Sequence, residues 1–229
     1  MNSLAGKNVL VVGATGAFGA EFCNQLMAQG ALVSGTASSA ESSIRLRADL
    51  HQRLILDLES AAGIEALVDY LMRQPLDGIV LASGLVAFGS IADTPNEVLE
   101  KLMKVNATGQ IQLTSSLIPK LSESATAGRN PFVLSISGVI SEQPMAGLSA
   151  YSASKAAING FASAAAKELR KSGINWIDAR PGHTESGLAS RAIFGTAPNF
   201  GVGKTVEAVV SRMLTAIVNE ERDLPSGSF

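Results

Sequence analysis

A single α/β domain with a doubly wound parallel sheet and helices on both faces is predicted by three features of the sequence. Short runs of β-branched and aliphatic residues alternate with longer helical patterns, the order that buries a parallel sheet between two helix layers. A glycine-rich turn, Gly13-Ala-Thr-Gly-Ala-Phe-Gly19, joins the first such run to the first helical pattern. A length of 229 residues with 46% hydrophobic composition can bury one sizeable core and suits one domain, residues 1–229, better than two.

The elements follow in order. Strands are expected at residues 8–12, 32–36, 53–56, 78–82, 132–137 and 175–179, each a short apolar run. Helices are expected at 17–29, 61–74, 95–121, 150–172 and 205–219. Gly30 and Gly173 stand where C-terminal caps belong, and Asp57 with Ser60 can open the second helix. Right-handed crossovers then give a Rossmann-like sheet. No internal repeat is visible. The one linker-like stretch is 187–204, with Gly195, Pro198, Gly201 and Gly203, and reads as a short substrate loop over a site. After it, Leu224-Pro-Ser-Gly-Ser-Phe229 leaves little room for a further long strand.

The bulk properties narrow the function. With 18 basic and 20 acidic residues and no like-charge block, nothing marks a nucleic-acid or anionic-membrane surface, so a small-molecule partner is expected. A single cysteine, Cys23, excludes an internal disulfide and fits a reducing compartment, with the cytoplasm as the default. The apolar stretches at 9–12 and 78–92 are too short, or too broken by Gly and Ser, for a signal peptide or a membrane span.

The glycine turn sits where it can bind a dinucleotide: glycines let the backbone approach a pyrophosphate, and a helix N-terminus offers unpaired N–H groups to the anion. Packing alone is the competing explanation. Asp57 can accept from an adenine amino group or begin a helix. Beyond the second strand, Gly35-Thr-Ala-Ser-Ser39 carries no acid to hold a ribose 2′-hydroxyl, and Arg45 or Arg47 can reach a 2′-phosphate, which tilts the expectation from NAD to NADP. Downstream, Tyr151 and Lys155 lie one helical turn apart in Tyr-Ser-Ala-Ser-Lys. A tyrosine titrating near roughly 10 is a poor base at neutral pH, and a neighbouring ammonium pulls that value down.

In these residues the chain resembles the short-chain dehydrogenase/reductase family over nearly its whole length. The matching positions are the glycine turn, Asp57, Gly84, Asn106 in Lys-Val-Asn-Ala-Thr-Gly, Tyr151 with Lys155, and Pro181-Gly182. The resemblance implies an NAD(P)-dependent oxidoreductase that moves a hydride between nicotinamide and a carbonyl or secondary alcohol. It implies Tyr151 as acid/base, Lys155 as its partner on the nicotinamide ribose, and Asn106 behind a water-linked proton path. It also implies cofactor contacts from Gly13, Thr15, Gly16, Ala17, Phe18, Gly19, Ser38, Asp57, Leu58, Ala82, Ser83, Gly84, Pro181, Gly182 and Thr184, with Ser186 near the carboxamide. Pairing of the 150–172 and 95–121 helices across a twofold axis, giving a homodimer or homotetramer, is implied in the same way.

Three departures stand out. The family's Asn-Asn-Ala-Gly after the fourth strand reads Leu81-Ala-Ser-Gly84, thinning its polar support. The Gly13, Gly16, Gly19 spacing is nearer to epimerase-like relatives. The family's substrate-positioning serine, thirteen residues before the tyrosine, is Gly138 here. Ser137 is the preferred replacement and Ser141 the weaker one, unless Ser137 points away from the cleft as strand alternation allows. An epimerase or dehydratase using the cofactor transiently, and a non-catalytic dinucleotide-binding regulator, are the rival readings. His183 reads as a loop histidine and His51 lacks metal-ligand neighbours, so no metal is expected.

Overall fold

The computed structural model describes residues 3–229. Its six strands are β1 (Asn8–Val12), β2 (Leu32–Ala37), β3 (Gln52–Ile55), β4 (Gly78–Leu81), β5 (Phe132–Ile136) and β6 (Asn175–Ala179). They form one parallel sheet in the order β3-β2-β1-β4-β5-β6. The helices are α1 (Ala17–Ala28), α2 (Ala40–Ser43), α3 (Ala61–Leu71), α4 (Asn96–Met103), α5 (Gly109–Thr126), α6 (Ser149–Leu169) and α7 (Val206–Val218).

Strand alternation sorts the core into two layers. Val9 and Val11 of β1 pack with Phe22, Leu26, Met213 and Ile217 from α1 and α7. Leu10 and Val12 face the other way, onto Ile64, Leu67, Leu113 and Leu117 from α3 and α5. Each such side chain, taken fully out of water, contributes about 1.5–3 kcal/mol before entropy is charged against it. Strand order reverses between β1 and β4, and that opens a crevice at the carboxyl ends of the strands.

The expected single helix over 95–121 is replaced by α4, a π-helical turn at Lys104–Thr108, and α5, which runs on to Thr126. The break has a steric partner: a Cβ on Gly109 would collide with the carbonyl of Leu58. The wide turn also carries Asn106 into the interior, where it is completely buried. The four-residue α2 was not expected, since it buries no side chain and so has no hydrophobic period; Ser39 starts it with a capping box to Ser42. Ser60 caps α3 by accepting from Gly63 N–H, and Asp57 instead accepts from Glu59 N–H at 2.9 Å. Gly30 and Gly173 take positive φ at the ends of α1 and of the turn after α6.

Candidate active site

The glycine turn leaves β1 at Gly13 with φ +83°. Gly13 N–H donates to Thr36 Oγ1 at 3.0 Å and Ala14 N–H to the Thr36 carbonyl at 2.9 Å, tying the turn to β2. A Cβ on Gly13 would run into Ser83, and one on Gly19 into the carbonyl of Gly13, so packing explains those two glycines. Gly16 is different. A Cβ there would meet only the Gly13 carbonyl, at 3.4 Å, and no side chain caps α1 or places an acid in its first turn. The helix therefore presents uncapped N–H groups beside half-buried Thr15, Gly16, Ala17 and Phe18, a cradle that fits a pyrophosphate.

Across the crevice, β4 runs into Ala82, Ser83 and Gly84. The buried Lys155 ammonium donates to the Ile136 carbonyl at 2.7 Å, and a Cβ on Gly84 would stand 3.5 Å from its Nζ and 3.7 Å from Asn106 Oδ1. Asn106 accepts from Leu85 N–H at 2.8 Å and donates to the Leu85 carbonyl and to Ser154 Oγ, both at 2.9 Å. Its amide thus stitches the π turn to the loop after β4 and to α6. Burial pulls the Lys155 ammonium down to about 8, against the opposing field of Asp178.

Tyr151 lies one turn before Lys155 on α6, packed against an apolar cluster of Val86, Phe88, Ile140 and Leu148. Leu188, Ala192 and Phe200, from the expected loop 187–204, pack on the same cluster. That loop is tied down: Phe88 N–H donates to the Phe194 carbonyl and Ile193 N–H to the Val86 carbonyl, each at 2.9 Å. The expected lowering of the phenol by Lys155 is not what the geometry gives. Burial alone governs the group and pushes it up to about 12, so it is a protonated acid at neutral pH.

A family model described as short chain dehydrogenase matches residues 7–193. The chain belongs to the short-chain dehydrogenase family. It is similar to the dehydrogenase/reductase SDR family protein 7-like of Drosophila melanogaster, with 26% identity over 97% of this chain and 73% of the relative. Its fold matches the 3-ketoacyl-(acyl-carrier-protein) reductase of Brucella melitensis complexed with NADH, with TM-score 0.87, 20% identity, and coverage of 99% of each chain. It also matches a short-chain dehydrogenase of Sphingobium yanoikuyae in complex with NADPH, with TM-score 0.81, 22% identity, and coverage of 96% and 87%.

Against that family pattern the substrate side is rearranged. Gly138 has φ +76°, a conformation that L side chains rarely adopt, and a Cβ there would meet only the Pro181 carbonyl, at 3.7 Å. A serine is thus disfavoured by backbone and not by lack of room. Ser137 is completely buried, and its hydroxyl donates to Asp178 Oδ2 beneath the sheet end. Ser141, half-buried, donates to the Gly138 carbonyl at 2.8 Å and to Ser137 Oγ at 3.0 Å. The more accessible hydroxyl beside Gly138 is therefore that of Ser141.

Other positions sharpen. The missing asparagines after β4 are answered by Gln110, whose buried amide donates to the carbonyls of Ser83 at 3.0 Å and Val105 at 2.9 Å. Sequence reasoning missed it, although it lies four residues after Asn106. Asp178 was also missed; an acid inside the apolar strand Asn-Trp-Ile-Asp-Ala was the available signal. Ser38 and Asp57 lie at the carboxyl ends of β2 and β3, Asp57 exposed, and Leu58 is buried beneath Gly109. Arg47 is held by Asp49 at 2.6 Å, which leaves exposed Arg45 as the freer cation near α2. Pro181 and Gly182 follow β6, Val139 N–H donates to the Pro181 carbonyl at 2.9 Å, and Thr184 Oγ1 donates to the Gly182 carbonyl at 3.0 Å. His183 stacks on Phe200 with ring centroids 5.3 Å apart. Among the described residues no group of three His, Cys, Asp or Glu side chains is placed to hold a metal, and no helix is long and apolar enough to cross a membrane.

Proposed function

We propose that this chain is an NADP-preferring oxidoreductase that interconverts an uncharged carbonyl compound and its secondary alcohol, with Tyr151 as the acid/base. The observation that carries the reading is the buried Lys155 ammonium, fixed on the Ile136 carbonyl between Gly84 and the helix bearing Tyr151. When bound, the nicotinamide dinucleotide supplies or accepts the hydride. The chain's residues do the rest. The uncapped start of α1 would hold the pyrophosphate, and Ala82, Ser83, Gly84, Pro181, Gly182 and Thr184 would hold the nicotinamide half. Lys155 holds the ribose. In reduction the neutral Tyr151 phenol donates its proton to the developing alkoxide, and Asn106 keeps the loop beneath it in register. The Ser141 hydroxyl, swung from the Gly138 carbonyl, donates to the same oxygen in place of the family's serine. In oxidation the roles reverse, and the rate rises with pH as the phenol loses its proton. Homodimer or homotetramer assembly through α5 and α6, and a cytoplasmic location, belong to the same proposal.

Calorimetry against both reduced cofactors tests the cofactor side. NADPH binds more tightly than NADH by about tenfold, and Arg45→Ser narrows that margin. Equal affinities would overturn the 2′-phosphate preference. Net NADPH consumption with a panel of apolar ketones separates a reductase from an epimerase, which regenerates its cofactor every cycle.

A further inference from the structure

A cavity of about 720 Å³ lies away from Tyr151 and Lys155 and runs along the outer edge of β6. Towards β5, Asn175 N–H donates to the Pro131 carbonyl at 3.0 Å, and the Ala179 carbonyl accepts from Ser137 N–H at 3.1 Å. Alternation then turns the main-chain groups of Trp176, Asp178 and Arg180 outward, and these three residues line the cavity. The top of this edge already accepts an extended segment: Leu224 bridges in parallel to Ala179, and Arg180 N–H donates to the Leu224 carbonyl at 3.0 Å. The Asp178 carbonyl is covered by Arg180 Nη1 at 3.3 Å. Below it the Trp176 N–H and carbonyl and the Asp178 N–H face no strand, in residues only 2% and 5% exposed. Polar main-chain groups in so recessed a position call for a partner.

The walls describe that partner. The groove lies between α6, through Ser163, Lys167 and Arg170, and the segment after α7, through Glu220 and Arg222. An edge flanked on both sides admits one strand and not the matching recessed edge of a second copy. Arg180 is occupied by Glu142, Asp178 and Asp223. Glu220, on the opposite wall, is in no ion pair among the described residues, and its field reaches Lys7. Exposed Lys167, Arg170 and Arg222 have no carboxylate within ion-pair distance among the described residues. We propose that this groove docks an extended acidic peptide segment of a partner protein, which adds as a strand beside β6 with its carboxylates on Lys167, Arg170 and Arg222.

The test uses the full chain and a fluorescent peptide, acetyl-Thr-Glu-Val-Glu-Val-Glu-Thr-amide, followed by anisotropy. Binding saturates, weakens about tenfold or more when Lys replaces Glu or when alternate amides are N-methylated, and slows hydrogen exchange at Trp176 and Asp178. The double change Lys167→Glu with Arg170→Glu weakens binding to the same degree with the melting temperature unmoved. Three results overturn the proposal: no saturation at millimolar peptide, equal binding of the N-methylated peptide, or protection of the two amides that grows with protein concentration alone.

Discussion

The two sides of the crevice are built on different terms. On the dinucleotide side the backbone is the instrument. Gly13 and Gly19 are fixed by contacts with Ser83 and with the turn's own carbonyl, and Gly16 is kept free of such contact. On the substrate side the instrument is a layer of apolar side chains over Tyr151, with Phe88, Ile140 and Phe200 drawn from three loops. On the first side a Cβ at Gly13 or Gly19 would strike a neighbour, whereas the second is held by side-chain packing. A family can hold one cofactor and vary its substrates on such a frame.

Of the changes around the Tyr151 phenol, breaking the pair at its charged member has the largest expected effect. Lys155→Met lowers turnover by about 10³-fold, measured as NADPH consumption, yet raises stability. Holding the buried ammonium at about 8 against its ordinary 10.5 costs on the order of 3 kcal/mol at neutral pH. The sign follows from proton binding: between about pH 8 and 10.5 the unfolded chain retains a proton that the folded lysine gives up, so the wild-type chain gains stability as pH rises through that window. The Met variant lacks this gain, and urea titrations at several pH values read the difference.

A Cβ on the dinucleotide side comes next. Gly19→Ala forces a methyl into the Gly13 carbonyl and destabilises the chain by about 1–3 kcal/mol, with loss of NADPH binding in calorimetry. A Gly16→Ala change, which meets only a 3.4 Å contact, leaves the melting temperature near wild type and weakens the cofactor. If both variants lost stability equally, the distinction between a packing glycine and a ligand glycine would fail.

The smallest effect sharpens the substrate side. Ser141→Ala lowers kcat by about 10²-fold with little change in stability. Ser137→Ala strips a donor from buried Asp178 and destabilises by about 1–3 kcal/mol, with a smaller change in kcat. The reverse pattern would return the carbonyl contact to Ser137.

Much of this was legible in the sequence. The strands at Asn8–Val12 and Asn175–Ala179 stand as read, because a buried parallel strand is a short apolar run ended by a turn residue. The glycine turn and the Tyr151–Lys155 spacing are likewise local features. What stayed hidden is non-local. The π turn at Lys104–Thr108 depends on Leu58, nearly fifty residues earlier, pressing on Gly109. The hydrogen bond from Ser137 to Asp178 joins neighbouring strands, and no local pattern around Ser137 reports it. The phenol's state depends on how completely the loops shut it in, and one-turn spacing to a lysine does not report that.

Central to the account is that the Tyr151 phenol passes the proton while the dinucleotide is held by other residues. Comparison of Tyr151→Phe with the wild-type chain, by NADPH calorimetry and by NADPH consumption with a ketone the wild type reduces, tests it most directly. NADPH affinity is expected to stay unchanged and turnover to fall by about 10³-fold or more. Turnover within about tenfold of wild type would contradict it.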